Sequence, residues 1–272
     1  MGTPLEELQW IRRYARLALL EGSRLEQSGD LAGAWRMYRA TLRASRHAAR
    51  HGGTNQRLMG YGILEQSRPR IEAWIDGPGM THELLHRAIG DVDACRAMTS
   101  PASEMVRAEY FSARDAVNAT DLWWKLSDTR PYSNVYWYNQ FGGGRWAYRF
   151  LRREPERSAR VLRLIAAGYI AQCDRPLGAR TPPPVRAISP VALESWSRDS
   201  IVMDLSPFSP LIQNYLDAEA GMFDELILKM AERAFAIERG RPPRTYGELL
   251  GPYLKTLPDG IGPQDLVNPG SG

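Results

Sequence analysis

The stretch LEGSRLEQSGDLAGAWRMYRATL, Leu20 to Leu42, decides the fold. Small and apolar residues recur at helical spacing on both sides of a break at Gly29-Asp30. Upstream, the period is carried by Leu5, Leu8, Ile11, Ala15, Ala18, Gly22 and Leu25; downstream, by Ala34, Tyr38 and Leu42. Residues three and four apart share one face of a helix, so each run specifies an amphipathic helix with one buried stripe. Glycine followed by aspartate interrupts both periods and marks a turn. The stretch therefore reads as a helical hairpin, with a first helix from Pro4 to about Ser28 and a second from Leu31 to about His51.

Working outward, Gly52-Gly53 ends the hairpin and Thr54 can cap a third helix carrying Leu58, Tyr61, Leu64, Ile71 and Trp74. Pro69 should kink or split that helix, because it lacks an amide proton and its ring clashes with the preceding turn. Asp76-Gly77-Pro78-Gly79 is a hard stop, and Thr81 caps a fourth helix to about Ala97. Ser100-Pro101 fits the preferred start of a fifth helix, which carries Met105, Val106, Tyr110, Phe111 and Val117. Between Trp123 and Phe150 aromatic residues crowd around Gly142-Gly143-Gly144, a composition suited to a core plug or to a ligand platform. Core packing is the preferred reading. Glu154 to Cys173 reads as another helix, with Val161, Leu164, Ile165 and Tyr169 inward.

Pro176, Pro182, Pro183, Pro184 and Pro190 then make a semi-rigid strap. A strong helix follows from about Leu211 to Arg239, and Thr245-Tyr246-Gly247-Glu248 is a capping box opening a short helix to Lys255. Asp259 to Gly272 is rich in glycine and proline and should be loose. No segment shows the alternation of a β-strand. The expected fold class is all-α, an irregular helical bundle. Its expected parts are a helical domain over 1–174, a linker over 175–190, a smaller helical region over 191–258 packing on the first, and a flexible tail over 259–272.

Hydrophobic residues at 43% and charged residues at 24% of the 272 exclude wholesale disorder. No run approaches the roughly 18 apolar residues that a membrane-spanning helix needs, and Met1-Gly2-Thr3-Pro4 leads into a charged amphipathic segment rather than a signal peptide. The formal charge is +4, and Lys125, Lys229 and Lys255 are the only lysines among 35 basic residues. Arginine grips phosphate in bidentate fashion, which raises nucleic acid as a partner. Scarce lysine beside abundant alanine, glycine and proline is better explained by coding bias. The most basic region, Arg145 to Arg163, carries no nucleic-acid reading motif and reads as a solvated or acid-paired face. Cys95 and Cys173 have no metal-binding spacing and read as buried free thiols.

One string spells a catalytic mechanism: His82-Glu83-Leu84-Leu85-His86. On a helix His82 and His86 share a face and could hold zinc, with Glu83 as general base and Glu104, or else Glu109, downstream as third ligand. Its surroundings argue otherwise. Gly77-Pro78-Gly79 lies just upstream, so His82 falls in the first helical turn and is poorly anchored. Arg87 follows the second histidine, and a cation beside a divalent ion is unhelpful. Glu104 also suits a first-turn acid that complements the helix dipole. The preferred reading assigns no catalytic, metal or cofactor-binding residue.

Gly22 and Leu25 with Ala34 and Tyr38 stand at the spacing of one tetratricopeptide repeat, and the hairpin resembles a single copy of it. Ala18 and Arg46 stand where that pattern has an aromatic and a proline, and no second copy follows. Longer strings resemble a family of uncharacterised helical proteins from planctomycete-type bacteria. They are Arg24-Leu25-Glu26 with Gly29-Asp30-Leu31 and Ala34-Trp35, Phe150 to Arg157, Ala171 to Pro176, and Glu238-Arg239-Gly240 to Leu257-Pro258. The resemblance implies a structural role, envelope association, and a membrane anchor that would lie ahead of Met1. The expected function is a non-enzymatic helical scaffold or protein-interaction protein whose protein partner the sequence does not identify. The alternative is a zinc-dependent hydrolase using His82, Glu83, His86 and Glu104. Nucleic acid is not an expected partner.

Overall fold

In the computed structural model, residues 5–118, 160, 163–164, 166–175, 179, 210–258 and 260–267 are described. Among them the chain is all-α, with six α-helices and no strand; the β pairing is two isolated bridges, Thr245 to Leu266 and Leu250 to Leu254. The helices are α1 (Leu5–Gln27), α2 (Leu31–Ala49), α3 (Thr54–Ile75), α4 (His82–Ala97), α5 (Ala102–Asn118) and α6 (Pro210–Arg239). No helix among the described residues is long and apolar enough to cross a membrane.

The chain divides into two compact units, one of residues 1–50, 55–99 and 215–272 and another of residues 51–54 and 100–214. The division does not fall at the proline-rich 175–190, of which only Arg175 and Ala179 are described. Periodicity identifies helices but not which distant helices share a core. That is why reading in chain order placed the boundary at the strongest break in composition.

In the first unit the hairpin forms as its spacing dictates. Gly29 turns the chain at φ +84, a left-handed conformation that glycine adopts freely. Asp30 caps α2, its Oδ1 accepting from the Gly33 amide at 2.7 Å. Gly22 lets α1 approach α2 closely: a Cβ there would sit 2.5 Å from Tyr38 Cε1. Tyr38 is fully buried, and its hydroxyl donates to Glu26 Oε2 at 2.8 Å. Trp35 stacks on Trp74 with centroids 4.9 Å apart. Both indoles keep their polar end satisfied, Trp35 Nε1 donating to Asp91 Oδ2 and Trp74 Nε1 to the Leu31 carbonyl.

Pro69 lies inside α3 without ending it, against the expected split. Leu64, Ile71, Trp74 and Ile75 are all fully buried around it, and that packing carries the helix through the missing hydrogen bond. Thr54 is the first helical residue rather than a preceding cap, and its amide donates to Glu109 Oε1. The helix α6 closes the core with Phe223, Leu226, Met230, Ala231 and Ala234. Arg96 reaches Asp224, Arg68 reaches Glu225 and Lys229 reaches Asp76, so α6 is also tied to α3, α4 and the turn between them by ion pairs.

Two expectations at the C-terminus are corrected. The capping box does not form: Tyr246–Leu249 is a short 3-10 turn, and Thr245 makes no side-chain cap. Glu248 instead binds Arg241 and accepts weakly from the Arg244 amide. The tail is not loose over 260–267. Tyr246 donates to the Asp265 carbonyl, Gly247 to that of Pro263, and Val267 to that of Arg244. Backbone pairing with this returning segment occupies the turn that a helix would have used.

In the second unit α5 begins at Ala102, one residue beyond Pro101, and the first-turn amide of Ser103 donates to Asp174 Oδ1 at 3.0 Å. Met105 and Val106 are buried as expected, and Cys173 is a buried free thiol there, as Cys95 is in the first unit. The described part of 160–170 is helical. Leu164 is exposed rather than inward, and so is Phe111. The Phe111 ring carries the Arg114 guanidinium at 4.9 Å, which makes an outward aromatic tolerable. The aromatic segment 123–150 lies outside the described residues, as does most of the basic region 145–163.

Candidate functional site

The HExxH segment opens α4. Thr81 precedes the helix in extended backbone, and its hydroxyl accepts from the Leu84 amide at 3.3 Å. His82 is thus the first helical residue, as the upstream glycines and proline implied. Its Nε2 stands 3.5 Å from Glu83 Oε1. The Glu83 carboxyl is held below the ordinary carboxylate range, first by its own backbone amide and then by the Thr81 hydroxyl. That is the behaviour of an acid at a helix start, where free amides favour negative charge.

One turn on, His86 presents its ring edge-on to Tyr253, centroids 5.8 Å apart at 87°. The Tyr253 hydroxyl donates to Glu238 Oε2, and this bond, ahead of Arg239, His82 and His86, holds the Glu238 carboxyl below its usual range. Burial, and then Glu238, pushes the Tyr253 hydroxyl up. Glu238 on α6 is thus within electrostatic reach of both histidines, while Glu83 is the carboxylate beside His82. Glu104 belongs to the other unit, where its Oε2 lies 3.2 Å from His51 Nδ1. Among the described residues no three His, Cys, Asp or Glu side chains form a group that could hold a metal ion. Among the described residues no third ligand stands beside His82 and His86.

A buried cluster of charge lies in the interior of the first unit. Glu219 on α6 receives Arg46 from α2 and Arg57 from α3, at 2.6 Å and 2.7 Å, with all three side chains almost or wholly out of solvent. Arg46 also donates to Ser45 Oγ and Thr99 Oγ1 and lies 4.9 Å from the Phe223 ring. Burial lowers the Arg46 pKa, and Glu219 pulls it back. The contact of Arg46 Nη2 with Glu219 Oε1 lacks hydrogen-bond alignment, whereas Arg57 Nε donates to Oε2 at 2.9 Å. Sequence reasoning missed this set. One signal was present: Arg46 continues the buried row Ala34, Tyr38, Leu42, and a charge in such a row requires a counter-charge.

A second missed feature is the outer face of α1. Trp10, Tyr14, Leu17 and Leu20 are 57%, 72%, 62% and 65% exposed. Ala15 and Gly22, from the stripe read from sequence, turn inward and are buried. Trp10, Tyr14 and Leu17 have helical spacing too, so α1 carries two apolar stripes, of which the hairpin covers one. The Arg13 guanidinium lies 4.7 Å from the centre of the Trp10 ring.

No protein-family model matches the chain, and no solved structure matches it. The electron transfer flavoprotein beta subunit lysine methyltransferase of Mus musculus is 28% identical to it over 109 residues. That similarity covers 39% of this chain and 43% of the mouse protein, so the chain spans less than half the length of the curated relative it matches.

Proposed function

We propose that the chain is a non-enzymatic helical scaffold that works by docking through the outer face of α1. The supporting observation is a contrast between two kinds of side chain. Reactive groups are engaged in holding the fold together: Glu219 by two arginines, Glu238 by Tyr253, and Asp91 by Trp35 and Arg39. Four large apolar side chains on α1 are left to solvent on one face. Large apolar side chains left exposed together on one helix face are a mark of an interaction surface. The likeness of α1 and α2 to a tetratricopeptide hairpin supports the same reading, since such hairpins serve as interaction modules.

A photo-crosslinking residue at Leu17 tests this in the source cell. Leu17 should give adducts that the exposed control position Arg36 on α2 does not. Equal or absent adducts at both positions would overturn the reading.

The partial similarity to a lysine methyltransferase favours a second reading, in which the chain transfers a methyl group to a protein lysine. Among the described residues there is no glycine-rich turn between a strand and a helix, the usual cradle for a nucleotide-like cofactor. Incubation with a labelled methyl donor and the beta subunit of an electron transfer flavoprotein separates the two readings. Label on lysine would replace the scaffold with an enzyme.

A further inference from the structure

We propose that the solvent face of α2 is a docking surface for the phosphate backbone of a nucleic acid duplex, bound without regard to base sequence. Arg36, Arg39, Arg43, His47 and Arg50 follow one another at three or four residues along this helix and its C-terminal cap. At about 100° per residue they fall within an arc of about 80°, and at the helical rise they span about 21 Å. Arg36, Arg43, His47 and Arg50 are exposed, and Arg39 is half-buried. The helix contains no acid. Like charges three and four residues apart on a helix repel, so the row costs α2 stability that a bound polyanion would return. Coding bias accounts for arginine in place of lysine, but not for cations gathered on one face of a helix without acids.

The acids on either side of the row are already engaged. Asp30 caps the Gly33 amide and lies 4.0 Å from Arg36, and Asp91 of α4 accepts from Trp35 and Arg39. Asp93 of α4 is held by Arg96, and Glu21 and Glu26 of α1 by Arg24 and Tyr38. Glu83 opens α4, about two turns away from Asp91. Arg43 and Arg50 form no ion pair among the described residues. The remaining exposed residues of α2 are Ala32 and Ala40. This face therefore offers no large apolar anchor of the kind that carries protein interfaces. It has no apolar stripe to sink into a bilayer, and no tryptophan, tyrosine or phenylalanine ring on which unpaired bases could stack. A duplex backbone asks for none of these. It binds through neutralised phosphates, which arginine grips in bidentate fashion.

The test is fluorescence anisotropy of a labelled DNA duplex of about 20 base pairs, titrated with the whole chain as salt rises from about 50 mM. The logarithm of affinity should fall against that of salt with a slope of about −3 to −4, the counterion release expected from Arg36, Arg39, Arg43 and Arg50 together. Arg36→Gln with Arg43→Gln should reduce the slope by about two and the affinity in low salt by about tenfold or more. Arg13→Gln with Arg16→Gln on α1 removes the same charge and should leave the slope unchanged, which separates a surface from net charge. The thermal midpoint of the α2 variant should match or exceed the parent's, since repulsion along the row is relieved. The Leu17 crosslink reads a different helix, so docking at α1 stands or falls separately. No duplex binding at about 50 mM salt, or an equal loss from both double variants, overturns the proposal. Displacement of the duplex by polyglutamate or by phosphatidylglycerol vesicles, charge for charge as effective as unlabelled duplex, also overturns it and assigns the face to an acidic protein or a lipid headgroup.

Discussion

Glu219 stands between Arg46 and Arg57 in the buried interior, and the three charges are tolerable only as a set. Removing the carboxylate charge with Glu219→Gln takes from two buried guanidiniums the anion they share. The expected loss is about 3–5 kcal/mol, read as a lower urea midpoint; a change below about 1 kcal/mol would show the cations to be hydrated. Tyr38 makes a different prediction. Burial, opposed by Ser23 and helped by Glu26, pushes its hydroxyl up to about 12 from an ordinary 10. The folded state therefore holds this proton more tightly than the unfolded chain does. The associated stability is complete below pH 10 and is lost as the pH rises through about 12. Alkaline melts of the parent should fall across that window, and Tyr38→Phe should flatten the fall. The arginine in the α2 row was visible in the sequence, but its partner was not. Nothing local in residues 210–239 distinguishes Glu219 from a solvent-facing acid.

At the scale of elements, the hairpin shows how packing can outweigh propensity. Gly22→Ala ought to help α1 by about 1 kcal/mol from helix propensity alone. The new methyl would meet a fully buried Tyr38 ring at a distance real side chains do not reach. We expect a net loss of about 1–3 kcal/mol, the range for overpacking a closed core, measured by chemical denaturation. Helix existence was well legible: the starts at Leu31 and His82 follow from Asp30 and Thr81, whose side chains make the caps that residue type implies. Two signals misled. Pro69 sits in a helix whose flanks are buried enough to hold it, and the Thr245 to Glu248 box lost its amides to the returning chain at Pro263 and Asp265. In both places long-range contacts overrode a local rule. The HExxH string was legible for a simpler reason. Its context, a cap at Thr81 directly before the first histidine, is itself local.

At the scale of the whole molecule, the first unit is assembled from both ends of the chain. Residues of α6 supply part of that unit's core. A chain ending at Asn214 lacks Phe223, Leu226, Met230, Ala231, Ala234 and Phe235 from the core and lacks Glu219 from the charge set. It should retain far-ultraviolet helix signal but lose near-ultraviolet aromatic structure and cooperative melting. Sharp melting of that fragment near the parent temperature would contradict the assembly. Which helices meet was not legible, because periodicity states only that a face is buried and never against what. For the same reason the outer stripe of α1 escaped notice: a second apolar row reads like more core, and only its exposure distinguishes it.

The Arg46 to Glu219 contact also sets an order of events during synthesis. Elongation at about 5–20 residues per second places Arg46 outside the ribosome well before the codon for its anion is read. Through that interval α2 has a guanidinium on the face it must bury, so the hairpin cannot close over its own core. Nascent chains stalled short of residue 219 should remain open to protease along α2, and chains released after full translation should not. The α1–α2 hairpin would then depend for its completion on a helix translated long after it.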